Sequence, residues 1–104
     1  MAPPNRTVYV SIGNSDNKLT QAQWAEFCRR TLDFLQGEAL AVHGVWYSAT
    51  DAPYQNAAIC FEINAEQQAT PIKEVLQRLA LAYHQDSIAW ATAQTEFLQP
   101  DYTG

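Results

Sequence analysis

Two hydrophobic periods alternate along this sequence, and their order limits the folds open to it. Residues 7–12 alternate apolar and polar side chains, as a half-buried strand does. Trp24, Phe27 and Leu35 belong to a set that recurs at helical spacing. Followed to the end of the chain, the two periods predict the order strand, helix, strand, strand, helix, strand.

Helix caps and turn formers predict where these elements begin and end. Thr20 and Gln23 fit a capping box, which predicts a first helix from about 21 to 36. Thr70 followed by Pro71 fits an N-cap and the first helical position, which predicts the start of the second helix. Val, Ile, Trp and Tyr are frequent in the remaining periodic segments, which predicts strands over 7–12, 41–48, 55–63 and 88–93.

This order of elements predicts an α+β fold of the ferredoxin-like sandwich type. The β-α-β-β-α-β order forms a four-stranded antiparallel sheet with both helices on one face, so that every apolar stripe is buried in a single core. A right-handed crossover favours the ferredoxin-like strand order. We expect one domain over residues 1–104, with loose tails at 1–6 and 99–104.

Composition narrows the partners of such a domain. Six Lys and Arg against eleven Asp and Glu give a formal net charge of -5, which predicts no nucleic-acid binding because phosphates require clustered cations. The sequence has no apolar run of membrane-spanning length, so we expect no membrane contact and a cytoplasmic location. Cys28 and Cys60 lack metal-ligand spacing, which predicts reduced core thiols and no cofactor.

The predicted topology brings three polar loops to one end of the sheet, because the first two strands run parallel. Each loop contributes one carboxylate, and carboxylates with amide neighbours suit a small polar ligand, while a metal ion is left open. The competing interpretation is that these residues serve the turns and helix caps themselves. The candidate ligand-binding residues are Asn14, Asp16, Asp51, Tyr54, Gln55, Asn56, His84 and Asp86.

The sheet face that the helices leave open is a candidate dimer surface, since exposed apolar patches favour self-association. The facing of the second strand stays open, because Trp46 alternates with His43 and Tyr47. Scattered surface aromatics that need no partner are the alternative. The predicted dimer face comprises Tyr9, Ser11, Tyr47, Cys60 and Glu62.

These patterns together predict a non-enzymatic, homodimeric binding or interaction module with no catalytic residues. Its acidic charge favours a basic protein partner, and its loop end favours a small polar ligand. In length and element order the chain also resembles small dimeric α+β barrels, which include cofactor-independent monooxygenases. That resemblance implies a pocket between sheet and helices, with Trp24, His43 and Trp46 as lining candidates.

Overall fold

The described part of the chain forms six regular elements. The computed structural model describes residues 5–14, 18–49, 51–94 and 96–101. Arg6, placed by the sequence prediction in a loose N-terminal tail, is the first residue of the first strand. In chain order the elements are β1 (Arg6–Gly13), α1 (Gln21–Glu38), β2 (Ala41–Tyr47), β3 (Asn56–Ile63), α2 (Ala65–Ala82) and β4 (Ala89–Ala93).

The four strands form one antiparallel sheet in the order β2-β3-β1-β4. On β1, Val8 lies opposite Phe61 and Val10 opposite Ile59, and these four side chains are buried beneath the helices. Their neighbours along the strands point to the other face, as the two-residue period of a strand requires. The predicted ferredoxin-like sandwich is therefore confirmed.

The core lies between the sheet and the two helices. Phe27 and Leu35 from α1, Ile72 from α2 and Phe61 from β3 are each at most 1% exposed. Burial of each such side chain stabilises the fold by about 1.5–3 kcal/mol relative to leaving it in water. Both helices are apolar on one side only, and within the described residues no helix is long and apolar enough to cross a membrane.

The start of α1 has the capping box that the sequence predicts. The backbone N–H of Gln23 donates to the Thr20 hydroxyl oxygen at 3.2 Å, and the Thr20 N–H donates to the Gln23 side-chain oxygen at 2.8 Å. Two backbone donors that a helix start leaves unpaired are thus satisfied locally.

The start of α2 was predicted wrongly. The helix begins at Ala65, so that Pro71 lies inside it rather than at its first position. The side chain of Gln68 stabilises this earlier start: its oxygen accepts from the Asn64 N–H at 2.9 Å, and its amide donates to the Glu38 carbonyl at 2.7 Å. This bridge ties the first turn of α2 to the end of α1, upstream of Pro71.

α2 ends in a Schellman motif with a residue other than glycine at its left-handed position. His84 has a φ of 54°, the positive φ found among the described non-glycine residues. The His84 N–H donates to Leu81 O at 3.2 Å and the Gln85 N–H donates to Ala80 O at 2.8 Å, which is the hydrogen-bond pair of this motif. The backbone conformation of His84 is therefore imposed by the helix end and carries a steric cost.

We expect His84→Gly to stabilise the protein by about 1 kcal/mol, because glycine adopts a positive φ without a Cβ clash. Urea unfolding monitored by circular dichroism measures the change. His84→Ala is the matched control, since it removes the imidazole and keeps the Cβ, and its free energy of unfolding should not rise. Equal effects of the two substitutions would show that the side chain, and not the backbone, determines the cost.

β2 contains a bulge that sets which side chains face which way. Val42 pairs with Phe61, and the next pair is Gly44 with Cys60. β2 therefore has one more residue than β3 at this point, and His43 is the residue without a partner on β3. After the bulge, Val45 and Tyr47 share the helix side with Val42, while Trp46 lies on the open side. All seven residues of β2 are exposed, because the helices stop short of this edge.

After β4 the described residues form no further helix or strand. We call residues 94–101 the C-terminal tail; of these, Thr95 lies outside the described residues. Phe97 is 83% exposed and Leu98 is 84% exposed. The radius of gyration of the chain is 16.1 Å, against about 13 Å for a compact chain of some 100 residues. The chain is therefore extended, and it exposes two large apolar side chains on a segment outside its core.

Candidate functional site

The three polar loops meet at one end of the sheet, where Gln55 of the β2–β3 connection contacts Asn14. The loops after β1 and before β4, together with Asn56 at the start of β3, line a cleft of about 320 Å³. This volume lies near the lower end of the range for small-ligand sites. We call it the loop-end cleft. Three of the predicted ligand-binding residues, Asn14, Asn56 and Asp86, line it. The other lining residues are Ser11, Ile12, Gly13, Lys18, Gln85, Ser87 and Ala89.

Asn14 holds the floor of this cleft through its own side chain. Its amide donates to Leu19 O and to the Gln55 Oε1, each at 3.1 Å, and its oxygen accepts from the Leu19 N–H at 3.0 Å. The residue is 2% exposed. Every polar atom of this side chain is thus engaged within the protein, so Asn14 shapes the loop rather than offering groups to a ligand.

Gln55 ties the same loop to α1. Its side chain makes two hydrogen bonds with Gln21. Gln55 Nε2 donates to Gln21 Oε1 at 2.8 Å, and Gln21 Nε2 donates to Gln55 Oε1 at 3.1 Å. Gln55 Oε1 therefore accepts one hydrogen bond from the Asn14 side chain and one from the Gln21 side chain. Gln55 lies in the β2–β3 connection, so this amide cluster fixes the hairpin against the first loop and the start of α1.

The charged groups of the loop-end cleft form an ion pair. Lys18 Nζ lies 3.3 Å from Asp86 Oδ2, with 38% and 86% of the two side chains exposed. An exposed pair of this kind contributes about 0–1 kcal/mol, so either partner is open to exchange its contact for a polar ligand. Among the predicted ligand-binding residues that line the cleft, Asp86 is the charged one.

The remaining predicted loop residues lie elsewhere. Asp51 and Tyr54 are exposed on the β2–β3 connection and His84 is exposed at the end of α2, and none of the three lines the cleft. Asp16 lies outside the described residues. Within the described part of the chain, no group of three or more His, Cys, Asp or Glu is arranged to hold a metal ion.

The open face of the sheet is the second candidate site. Tyr9, Ser11, Cys60 and Glu62 lie on it, as the strand register shows. Tyr47 does not: the bulge at His43 moves it to the helix side, which corrects the prediction that grouped it with the other four. The same register places Trp46 and the alanines Ala58, Ala89, Ala91 and Ala93 on the open face.

Tyr9 and Trp46 dominate this open face. Tyr9 is 53% exposed and Trp46 is 57% exposed. A hydrogen bond with the Cys60 thiol raises the pKa of Tyr9, so the phenol stays neutral across the physiological range. His43, the bulge residue, lies 3.8 Å from Glu62 Oε1. The described residues of this face are therefore largely uncharged, and the His43–Glu62 pair lies toward β2.

A third candidate site is the groove between α1 and β2, with a volume of about 430 Å³. We call it the α1–β2 groove. Trp24, Cys28 and Tyr47 contribute to its walls, whereas His43 and Trp46 lie on the opposite face of the sheet. Burial raises the pKa of the Cys28 thiol to about 11. Burial, the Cys28 thiol and the Asp33 carboxylate raise the pKa of Tyr47, so both groups hold their protons at neutral pH.

No protein-family model matches this sequence, and no curated protein matches it either. Solved structures do match. One is the de novo designed protein Foldit4, 10% identical, with a TM-score of 0.62 over 89% of this chain and 100% of that chain. A second is the hydroxynitrile lyase from Passiflora edulis, 12% identical, with a TM-score of 0.52 over 94% of this chain and 100% of that chain.

A dimeric ferredoxin-like protein from an uncultured marine organism also aligns, with 8% identity and a TM-score of 0.40 over 94% of this chain and 95% of that chain. The likeness is one of fold. At such identities, shared architecture says nothing of shared chemistry. The function therefore has to be argued from the three candidate sites of this chain.

Proposed function

We propose that this protein is a homodimeric, non-enzymatic binding module. Two copies pack their open sheet faces together, and the loop-end cleft of each copy receives a small polar ligand or a basic side chain of a protein partner. The observation that carries the proposal is the open face itself, where Tyr9 and Trp46 are more than half exposed on a flat, largely apolar surface. A second copy offers the same surface, which is the requirement of a two-fold interface.

The loop-end cleft supports the binding part of the proposal. Its lining is mainly polar, and Asp86 and Lys18 present opposite charges at its mouth. The net charge of -5 favours a basic partner through long-range attraction. The free thiols of Cys28 and Cys60 fit a reducing compartment, which supports the proposed cytoplasmic location.

An enzyme of the dimeric α+β-barrel type is the runner-up, and the α1–β2 groove is what favours it. The groove has the size of a small-molecule site. Cys28 and Tyr47 both hold their protons more tightly than usual, which suits neither a nucleophile nor a base near neutral pH. Neither His43 nor His84 lines the groove. A binding role fits these side chains better.

The dimer is tested with Tyr9→Lys. We expect the wild-type chain to have twice the 11.7 kDa mass of one protomer in size exclusion with light scattering. Two lysines buried face to face should raise the dissociation constant roughly 100-fold or more. Leu81→Lys is the matched control, because Leu81 is 78% exposed on α2, and it should leave the dimer intact. A monomeric wild-type chain would disprove the dimer.

Binding in the loop-end cleft is tested with Asp86→Asn. A thermal-shift screen of amino acids, amines and sugars identifies a ligand on the wild-type chain, and calorimetry then gives its affinity. We expect Asp86→Asn to weaken that ligand roughly tenfold or more, the scale of one charge-assisted hydrogen bond. Asp51→Asn makes the same change outside the cleft and should bind as the wild type does. Equal affinities of the two variants would place the ligand elsewhere.

A further inference from the structure

β2 is an edge strand whose visible protection is the single bulge at His43. All seven of its residues are exposed, none is Asp, Glu, Lys or Arg, and none is proline. Among the described strands, β3 alone pairs with it, so the outer row of backbone donors and acceptors faces outward. Proteins protect such edges with charges, prolines, bulges or a covering segment, since an open apolar edge pairs with other chains. Beyond the bulge, Val45, Trp46 and Tyr47 form a regular apolar run along this edge. This edge therefore calls for a covering segment.

The C-terminal tail has the side-chain pattern that β2 requires. Adjacent residues of an extended chain point to opposite sides, so Phe97 and Leu98 present one large apolar group in each direction. β2 is likewise apolar on both sides, with Val45 and Tyr47 toward the helices and Trp46 toward the open face. Along the tail, Pro100 is compatible with an edge strand, which needs no donor on its outer side.

We propose that the C-terminal tail of each copy adds as an outer strand to β2 of the partner copy. Phe97 and Leu98 then cover the two apolar sides of β2, one toward the α1–β2 groove and one toward Trp46. This inference rests on the proposed homodimer and names its second contact. The occupant is a segment of the same chain, and the partner is a second copy.

The shape of the open face brings the two parts together. Its β4 margin carries alanines, whereas its β2 margin carries Trp46 and His43. Two identical faces fit best when the small margin of one copy meets the large margin of the other, which places β4 over the partner's β2. Packed sheets lie about 10 Å apart, and eight tail residues span up to about 26 Å. The tail therefore begins within reach of the partner's β2.

Contact area argues for the same arrangement. A stable interface of standard size buries about 800 Å² of accessible surface on each partner. The β4 side of the open face is short and carries only alanines, Ala89, Ala91 and Ala93, which offer little area to a partner. Strand addition by the tail supplies apolar contact and backbone hydrogen bonds that the face alone lacks, and tail and edge use the same mode as other strand-addition complexes.

The test uses the full chain with two charges placed in the tail. We compare the wild type with Phe97→Asp/Leu98→Asp, and with Gln94→Asp/Gln99→Asp as a control that adds the same charges at polar tail positions. Amide hydrogen exchange by mass spectrometry follows the peptide over β2, and light scattering follows the mass. We expect the Phe97/Leu98 variant to exchange at least tenfold faster in β2 than both the wild type and the control.

The outcomes separate the tail from the dimer. A dimeric wild type whose β2 exchange is unchanged in the Phe97/Leu98 variant overturns the tail inference and leaves the proposed dimer in place. Protection of β2 that persists unchanged when the wild type is diluted to monomer means that the tail covers its own chain, which also overturns the inference. A wild type that is monomeric at every concentration removes the proposed dimer itself.

Discussion

Asn14→Ala is expected to destabilise the protein by about 2–4 kcal/mol, because it removes three side-chain hydrogen bonds from a buried loop. The Leu19 N–H and carbonyl lose their partner, and Gln55 Oε1 loses its contact with the loop that follows β1. At 2% exposure, water does not replace these bonds without opening the loop. Guanidinium unfolding measures the loss in the absence of any ligand.

Asn56→Ala is the matched control for this prediction. Asn56 lines the same cleft, and its side chain makes a single 3.4 Å hydrogen bond to Tyr54 O. We expect a loss below about 1 kcal/mol. If Asn14→Ala proved as stable as the wild type, the hydrogen bonds of the Asn14 side chain would not be needed to hold the loop. Asn14 would then again be a candidate ligand-binding residue.

Phe27→Ala is expected to destabilise the protein by about 3–5 kcal/mol, the cost of deleting a buried aromatic side chain. Phe27 is fully buried, stacks on Tyr83 at a centroid distance of 4.9 Å and meets Trp24 edge-on at 6.1 Å. The free energy of unfolding of a small domain is about 5–15 kcal/mol in total, so the variant should be close to unfolding at 37 °C. Thermal unfolding by circular dichroism measures the change.

Leu81→Ala is the control for Phe27, since it removes apolar atoms from a side chain that is 78% exposed on α2. Its effect should stay within about 0.5 kcal/mol. A loss at Phe27 no larger than that at Leu81 would mean that the aromatic cluster of Trp24, Phe27 and Tyr83 does not hold the two helices together.

The sequence was sufficient for the fold because its local signals agree with one another. The capping box at Thr20 and Gln23 and the alternation along β1 are read from neighbouring residues, and both are present in the structure. The start of α2 was missed because Thr70 and Pro71 imitate a helix start. The competing signal is the long-range bridge from Gln68 to the Glu38 carbonyl, which no local pattern reveals.

The candidate site was predicted only in outline. Topology alone brings the three loops together, which is why Asn14, Asn56 and Asp86 line one cleft, and their role in ligand binding stays a prediction. Some of these side chains already hydrogen-bond to other loops of the protein and so are not available to a ligand. Such hydrogen bonds between loops cannot be predicted from the sequence. The sequence did not predict which side chains of β2 face the helices, for a different reason. The bulge at His43 moves each later side chain of β2 to the opposite face of the sheet, so that Tyr47 lies on the helix side.

Gln55 belongs to two sites at once, and this has a thermodynamic consequence. Its backbone and side chain help form the α1–β2 groove, while its Oε1 accepts from Asn14 on the floor of the loop-end cleft. Whatever shifts this amide in one site alters the other. If each site binds a ligand, this shared amide links the two affinities, and linkage requires that each ligand change the affinity of the other by the same factor.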